Sequence, residues 1–136
     1  IQALNVAAMR GVDVEIYLPS KSNIALVQWA CMAQLWQVLE KGCRVFFTPP
    51  PFDHTKLMIV DDIWTLIGST NWDPRSLRLN FEFNVECYST DLAKQMNEIV
   101  DAKIGDARQV TLEEVDSRNF PIRLRDGLAR LFSPYL

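Results

Sequence analysis

His54, the only histidine of the chain, opens the stretch H-T-K-L-M-I-V-D-D-I-W-T-L-I-G-S-T-N that ends at Asn71. Two β-rich runs, Thr55 to Val60 and Ile63 to Gly68, flank Asp61-Asp62. This is the pattern of a tight hairpin. With a two-residue loop, Val60 lies opposite Ile63, which sets Lys56 opposite Ile67, His54 opposite Ser69 and position 52 opposite Asn71. Opposed residues share a face and the side-chain period is two, so His54, Lys56, Ser69 and Asn71 are expected to project together near the open end of the hairpin. An imidazole, an ammonium, a hydroxyl and a carboxamide at one spot suit a phosphodiester. Lysine and amide donors neutralise non-bridging oxygens, while histidine attacks phosphorus or protonates a leaving oxygen.

On the same ladder Asp61 is seven residues from His54, about 23 Å at roughly 3.3 Å per residue. Its expected part is therefore structural, at the turn, and Asp61→Asn is expected to cost stability more than chemistry. A lone histidine on a half-buried strand is more often packing than chemistry. Here the reading rests on four polar side chains sharing one face.

The elements that must hold these residues follow from the rest of the chain. At 136 residues it is read as one domain, long enough to bury roughly two thirds of its unfolded surface. The formal charge of −3, without a dense lysine or arginine run, weighs against nucleic acid as a partner. Cys31, Cys43 and Cys87 are odd in number and lack metal-ligand spacing, so reduced, mostly buried thiols in a reducing compartment are expected. With lysine and histidine providing the charge compensation, no metal or other cofactor is expected. No signal peptide and no uncharged apolar run of roughly 18 residues is present, so no membrane span is expected within this stretch. Ile1 opens inside a helical pattern with no initiating methionine, and the chain is read as the back part of a longer protein.

In order, the chain reads as a helix to Arg10 stopped by Gly11, a strand over 12–18, and a helix from Ile24 to Leu39. A strand over 43–47 then leads into Pro49-Pro50-Pro51, which stiffen the approach to His54. Beyond the hairpin, 72–78 reads as a loop or short helical turn. Asn80 to Tyr88 alternates as a strand, with Phe81, Phe83, Val85 and Cys87 opposed to Glu82, Asn84 and Glu86. Its polar face offers a carboxylate to His54. Asp91 is expected to cap a helix to about Ile104, and Thr111 with Glu114 forms a capping box. The tail over 121–136 sets Leu124, Leu128, Leu131 and Phe132 at helical spacing beside Arg123, Arg125 and Arg130. It reads as a helix docked on the sheet, with a basic amphipathic helix on an anionic membrane as the alternative. The alternation of helix and strand indicates a layered α/β domain.

His54-x-Lys56, Asp61 and Gly68-Ser69-x-Asn71, at these spacings, resemble the HKD motif of the phospholipase D superfamily. The segments R-G-V-D-V-E-I-Y-L-P at 10–19, D-P-R-S-L-R-L-N-F-E-F-N at 73–84 and A-R-L-F-S-P-Y-L at 129–136 are similar to the C-terminal catalytic half of bacterial cardiolipin synthases. The approach Pro49-Pro50-Pro51-Phe52-Asp53 departs from the Gly-containing approach common in the family, leaving the shape of the mouth open.

The resemblance implies a phospholipase D-like α/β/α fold with a mixed central sheet. It implies catalytic roles for His54 and Lys56, with Asp61 included by the motif. Lys56 and Asn71 would bind phosphate oxygens, Ser69 would hydrogen-bond nearby, and Glu82 would hold the ring nitrogen of His54 facing away from phosphorus. The expected reaction is phosphatidyl transfer through a phosphohistidine, joining two phosphatidylglycerol molecules into cardiolipin. The expected place is the cytoplasmic face of the bacterial inner membrane. The family mechanism uses two imidazoles, so a second HKD motif must come from an N-terminal half outside this chain or from a homodimer partner. The alternatives are a phospholipase D-type hydrolase or nuclease, and a non-catalytic membrane-docking domain.

Overall fold

The computed structural model describes residues 1–71, 73 and 75–133, and the chain divides into two compact units. Among the described residues one unit comprises 1–52 and 106–133, and the other 53–105.

In the first unit, helix α1 (Gln2–Met9) leads into strand β1 (Glu15–Pro19), which pairs in parallel with β2 (Arg44–Thr48) from Glu15↔Arg44 to Pro19↔Thr48. Parallel neighbours need a crossover, and α2 (Ala25–Met32) with α3 (Trp36–Leu39) supplies it. One helix was expected over 24–39, yet the chain breaks at 33–35. There Gln34 N–H bonds the Cys31 carbonyl and Gln37 N–H the Gln34 carbonyl, three residues back instead of four. The Gln34 side chain meanwhile donates to the Ala30 carbonyl at 3.3 Å. A short strand without a counterpart in the sequence reading, β6 (Arg108–Val110), adds antiparallel to β2 through Val45↔Val110. The core joins Leu35, Val38, Cys43, Val45 and Val110 to Val115 of α5 (Leu112–Asp116). The hydroxyl of Thr111 accepts the Glu114 N–H, so half the capping box forms, while the Glu114 carboxylate turns to Arg108 at 2.7 Å. Helix α6 (Phe120–Leu131) packs on α2. The sequence-predicted tail beyond 133 lies outside the described residues.

The second unit is a meander, β3 (Lys56–Val60), β4 (Trp64–Gly68) and β5 (Asn84–Tyr88), with α4 (Thr90–Ile104) against β3 and β4. Ser89 caps α4, its hydroxyl accepting the Leu92 N–H at 3.3 Å, so Asp91 sits in the first turn rather than at the cap. The class is α/β as expected. Among the described residues each unit carries a three-stranded sheet, mixed in the first and wholly antiparallel in the second. Between β2 and β3, Pro49, Pro50 and Pro51 lack the N–H groups that would continue a ladder.

The hairpin register differs from the expected one by one residue. Asp61 and Asp62 both take left-handed backbone, φ +51° and +54°, and Ile63 N–H closes the turn on the Val60 carbonyl at 3.2 Å. The ladder then pairs Val60 with Trp64 and Lys56 with Gly68, leaving Ile63 as an extra residue. Lys56 is therefore opposite Gly68, not Ile67. Simple alternation no longer places Ser69 on the face of Lys56.

Candidate active site

Ser69 reaches the site by leaving the ladder. Its N–H donates to the Phe83 carbonyl at 3.0 Å, and its hydroxyl oxygen accepts the Phe83 N–H at 3.0 Å. The Ser69 hydroxyl in turn donates to the Glu82 carboxylate in a short hydrogen bond. The other Glu82 oxygen accepts from the Asn80 side chain at 3.3 Å, and Asn80 also reaches the Ser76 hydroxyl at 3.3 Å. These bonds hold Glu82 ionised. Its carboxyl lies below the usual range because of Ser69 first, then Asn80, Ser76 and the nearby Lys56 charge.

Lys56, the first residue of β3, donates from its ammonium to the His54 carbonyl at 2.6 Å. Burial lowers its amine below the ordinary value, while Glu82 and Asp53 oppose that shift. A half-buried ammonium at this position offers an incoming phosphate a donor partly shielded from solvent.

His54 is exposed and lies two residues before β3. The chain on both sides of it is tied down. Asp53 accepts the Thr55 N–H at 2.8 Å and the Thr55 hydroxyl at 2.5 Å, and its second oxygen accepts from Lys103 of α4 at 2.7 Å. Lys103, then Thr55, hold the Asp53 carboxyl well below the usual carboxylate range.

Gly68 is required by a close approach. A Cβ there would lie 2.0 Å from Asn84 Oδ1 and 2.6 Å from the Phe83 carbonyl oxygen. Asn84 crosses this space to clamp Thr70, donating to its hydroxyl at 2.6 Å and accepting its N–H at 3.4 Å. The chain beyond β4 is thus set by Asn84.

The structure brings Lys56, Ser69 and Glu82 together and ties His54 to them through its backbone. Asn71 is exposed three residues past β4. Asp61 lies at the opposite end of the hairpin, in the turn. The sequence reading missed Asp53, Lys103, Ser76, Asn80 and the Asn84–Thr70 clamp. The alternation of Asn80, Glu82 and Asn84 was the available signal. The loop over 72–78 is described at 73 and 75–78, where Asp73 accepts the Ser76 N–H at 2.7 Å, and Trp72 and Pro74 lie outside the described residues. The strand expected from Asn80 begins only at Asn84. Hydrogen bonds draw Asn80 and Glu82 toward Ser69 and Ser76, and Phe81 and Phe83 are left exposed. Among the described residues no cluster of histidine, cysteine and carboxylate side chains is arranged to hold a metal ion.

A crystal structure of a phospholipase D family member, Nuc from Salmonella typhimurium, matches with a TM-score of 0.70 and 26% identity, over 81% of this chain and 72% of that one. Phosphatidylserine synthase from Haemophilus influenzae Rd KW20 matches with a TM-score of 0.71 over 99% of this chain and 38% of that one, a likeness of fold alone at 16% identity. The fold is that of the phospholipase D class. The family model for the cardiolipin synthase PLD-like domain matches residues 1–104, and the chain belongs to that family. Cardiolipin synthase 1 of Staphylococcus epidermidis is 37% identical over 136 residues, 100% of this chain and 28% of the relative. The major cardiolipin synthase ClsA of Bacillus subtilis is 35% identical over the same shares. Cardiolipin synthase A of Proteus mirabilis is 40% identical over 138 residues, 98% of this chain and 28% of the relative. The chain spans little more than a quarter of the length of these curated relatives.

Proposed function

We propose that this chain is one catalytic half of a phosphatidyltransferase that makes cardiolipin from two phosphatidylglycerol molecules. The grouping of Lys56, Ser69 and Glu82 beside the single histidine supports this reading. One of two imidazoles attacks phosphorus, and the other protonates the departing glycerol. The hydroxyl of a second phosphatidylglycerol then gives its proton back to that imidazole and attacks the phosphohistidine, which releases cardiolipin and restores both rings.

In this scheme His54 is one of the two imidazoles. Lys56 and Asn71 hold non-bridging oxygens, Ser69 fixes Glu82, and Glu82 holds the distal ring nitrogen of His54. The reaction proposed here needs no cofactor. The motif includes Asp61, whose part is the turn. The second histidine comes from another motif copy, either in a longer polypeptide of which this domain is the C-terminal part or in a second copy of the chain. The flanking segments that resemble a two-copy synthase favour the longer polypeptide. The working place is the cytoplasmic face of the inner membrane, against anionic lipid.

The test is incubation of a polypeptide carrying both motif copies with phosphatidylglycerol. Equal yields of cardiolipin and glycerol are expected. Glycerol without cardiolipin would make it a hydrolase, and cleaved oligonucleotide with phosphatidylglycerol untouched would make it a nuclease.

A further inference from the structure

Of the residues of helix α6, Asp126 and Ala129 are the buried ones. Asp126 and Ala129, 1% and 3% exposed, face α2, and Asp126 accepts from Arg118 and from Arg125 at 2.6 Å each. Arg125 also lies over the Trp29 ring at 4.3 Å. This buried, doubly paired aspartate fixes how the helix is rotated.

A helix held this way ordinarily turns polar residues outward. Here Phe120, Leu124, Leu128 and Leu131, spaced to form one stripe, are 76%, 52%, 54% and 71% exposed. Arg123 and Arg130, seven residues apart, border the stripe on one side and Arg125 borders it on the other. The exposed charges of α6 are all arginine, since its only carboxylate is the buried Asp126. Among the described residues neither Arg123 nor Arg130 is paired with a carboxylate, and Arg123 makes one contact of 3.4 Å to the Asp116 carbonyl. Both line a groove of about 430 Å³ with Trp36, Asp116, Arg118 and Leu131. In a chain of net charge −3 this is a locally cationic, apolar surface.

We propose that the outward face of α6 docks on a bilayer rich in anionic phospholipid. The four apolar side chains enter the boundary between head groups and acyl chains, and Arg123 and Arg130 meet lipid phosphates. Charge complementarity selects this occupant. A second copy docked by twofold symmetry would bring the same arginines together, and Asp116 is the one carboxylate lining the groove they share. The proposal concerns binding and does not depend on the reaction proposed above.

The test is flotation of the chain with vesicles of phosphatidylglycerol and phosphatidylcholine in equal parts, and with phosphatidylcholine alone. Binding to the mixed vesicles only is expected, weakened by added salt. Arg123→Gln with Arg130→Gln should weaken it by about 25-fold, roughly five-fold per arginine. Leu124→Glu with Leu128→Glu should abolish it. All these positions are exposed, so thermal midpoints should match the parent. If the glutamate pair shifts the midpoint, Phe120→Gln with Leu131→Gln, at the ends of the stripe, carries the same test. Undiminished binding by both the arginine pair and an apolar pair would overturn the proposal. So would equal binding to neutral vesicles, or a parent dimer that the apolar pair renders monomeric.

Discussion

The ammonium of Lys103, in the last turn of α4, donates to Asp53 Oδ2 at 2.7 Å, and through Asp53 it holds the chain directly before His54. Both side chains are more than a third exposed, so solvent screening limits the pair to about 0.5–1 kcal/mol. Lys103→Met should lower the unfolding free energy measured in urea by that amount. It should also reduce turnover of the two-motif enzyme more than it raises KM, because it frees the segment carrying the imidazole. The pH dependence has a defined sign. The Asp53 carboxyl is depressed in the folded state, so its stabilisation is complete above the ordinary carboxylate pKa of about 4 and is lost as pH falls toward the folded value. Acid titration followed by circular dichroism should show a shallower loss in Lys103→Met than in the parent.

Lys56 works in the opposite direction. Burial lowers its folded-state pKa, so charging it is a cost borne at neutral pH and relieved only as pH rises past the folded value toward the ordinary one. Lys56→Met gives up the hydrogen bond to the His54 carbonyl but also this cost. Its stability should stay within about 0.5 kcal/mol of the parent, while turnover falls by about 10²–10³ as expected for a lost charge-stabilising donor. Thermal melts beside product assays separate the two effects.

Gly68→Ala should destabilise by about 1–3 kcal/mol, since the new methyl group meets both Asn84 and the Phe83 carbonyl. Asn84→Ala removes the side-chain clash and leaves the backbone one. The double variant should therefore be more stable than the sum of the single losses predicts, which denaturant melts of all four proteins would reveal.

At Asp61 the left-handed backbone revises the expectation from sequence. Asparagine adopts that conformation readily, so Asp61→Asn should melt like the parent and keep its turnover. Asp61→Val should cost about 1–2 kcal/mol. A stable Asp61→Asn enzyme without activity would give Asp61 a chemical role.

Hydrophobic period and turn residues carried most of the fold. The hairpin, the helix stop at Gly11 and the amphipathic tail up to residue 133 were readable because each depends on neighbours in sequence. The register was not, because the left-handed pair Asp61-Asp62 makes Ile63 an extra residue, and one residue reverses every face. Strand β6 was hidden since only Val110 of its three residues is buried. In the site, His54, Lys56, Ser69 and Glu82 were legible as residue types. What joins them was not. Ser69 meets Glu82 across 13 positions and Asp53 meets Lys103 across 50, contacts that only the folded chain defines.

The most direct measurement is turnover of phosphatidylglycerol by the two-motif enzyme with His54→Ala, alongside its thermal midpoint. The proposed chemistry predicts an unchanged midpoint and a loss of cardiolipin formation of about 10³-fold or more. Cardiolipin formed at the parental rate by a folded His54→Ala enzyme would contradict it and leave this domain a docking part.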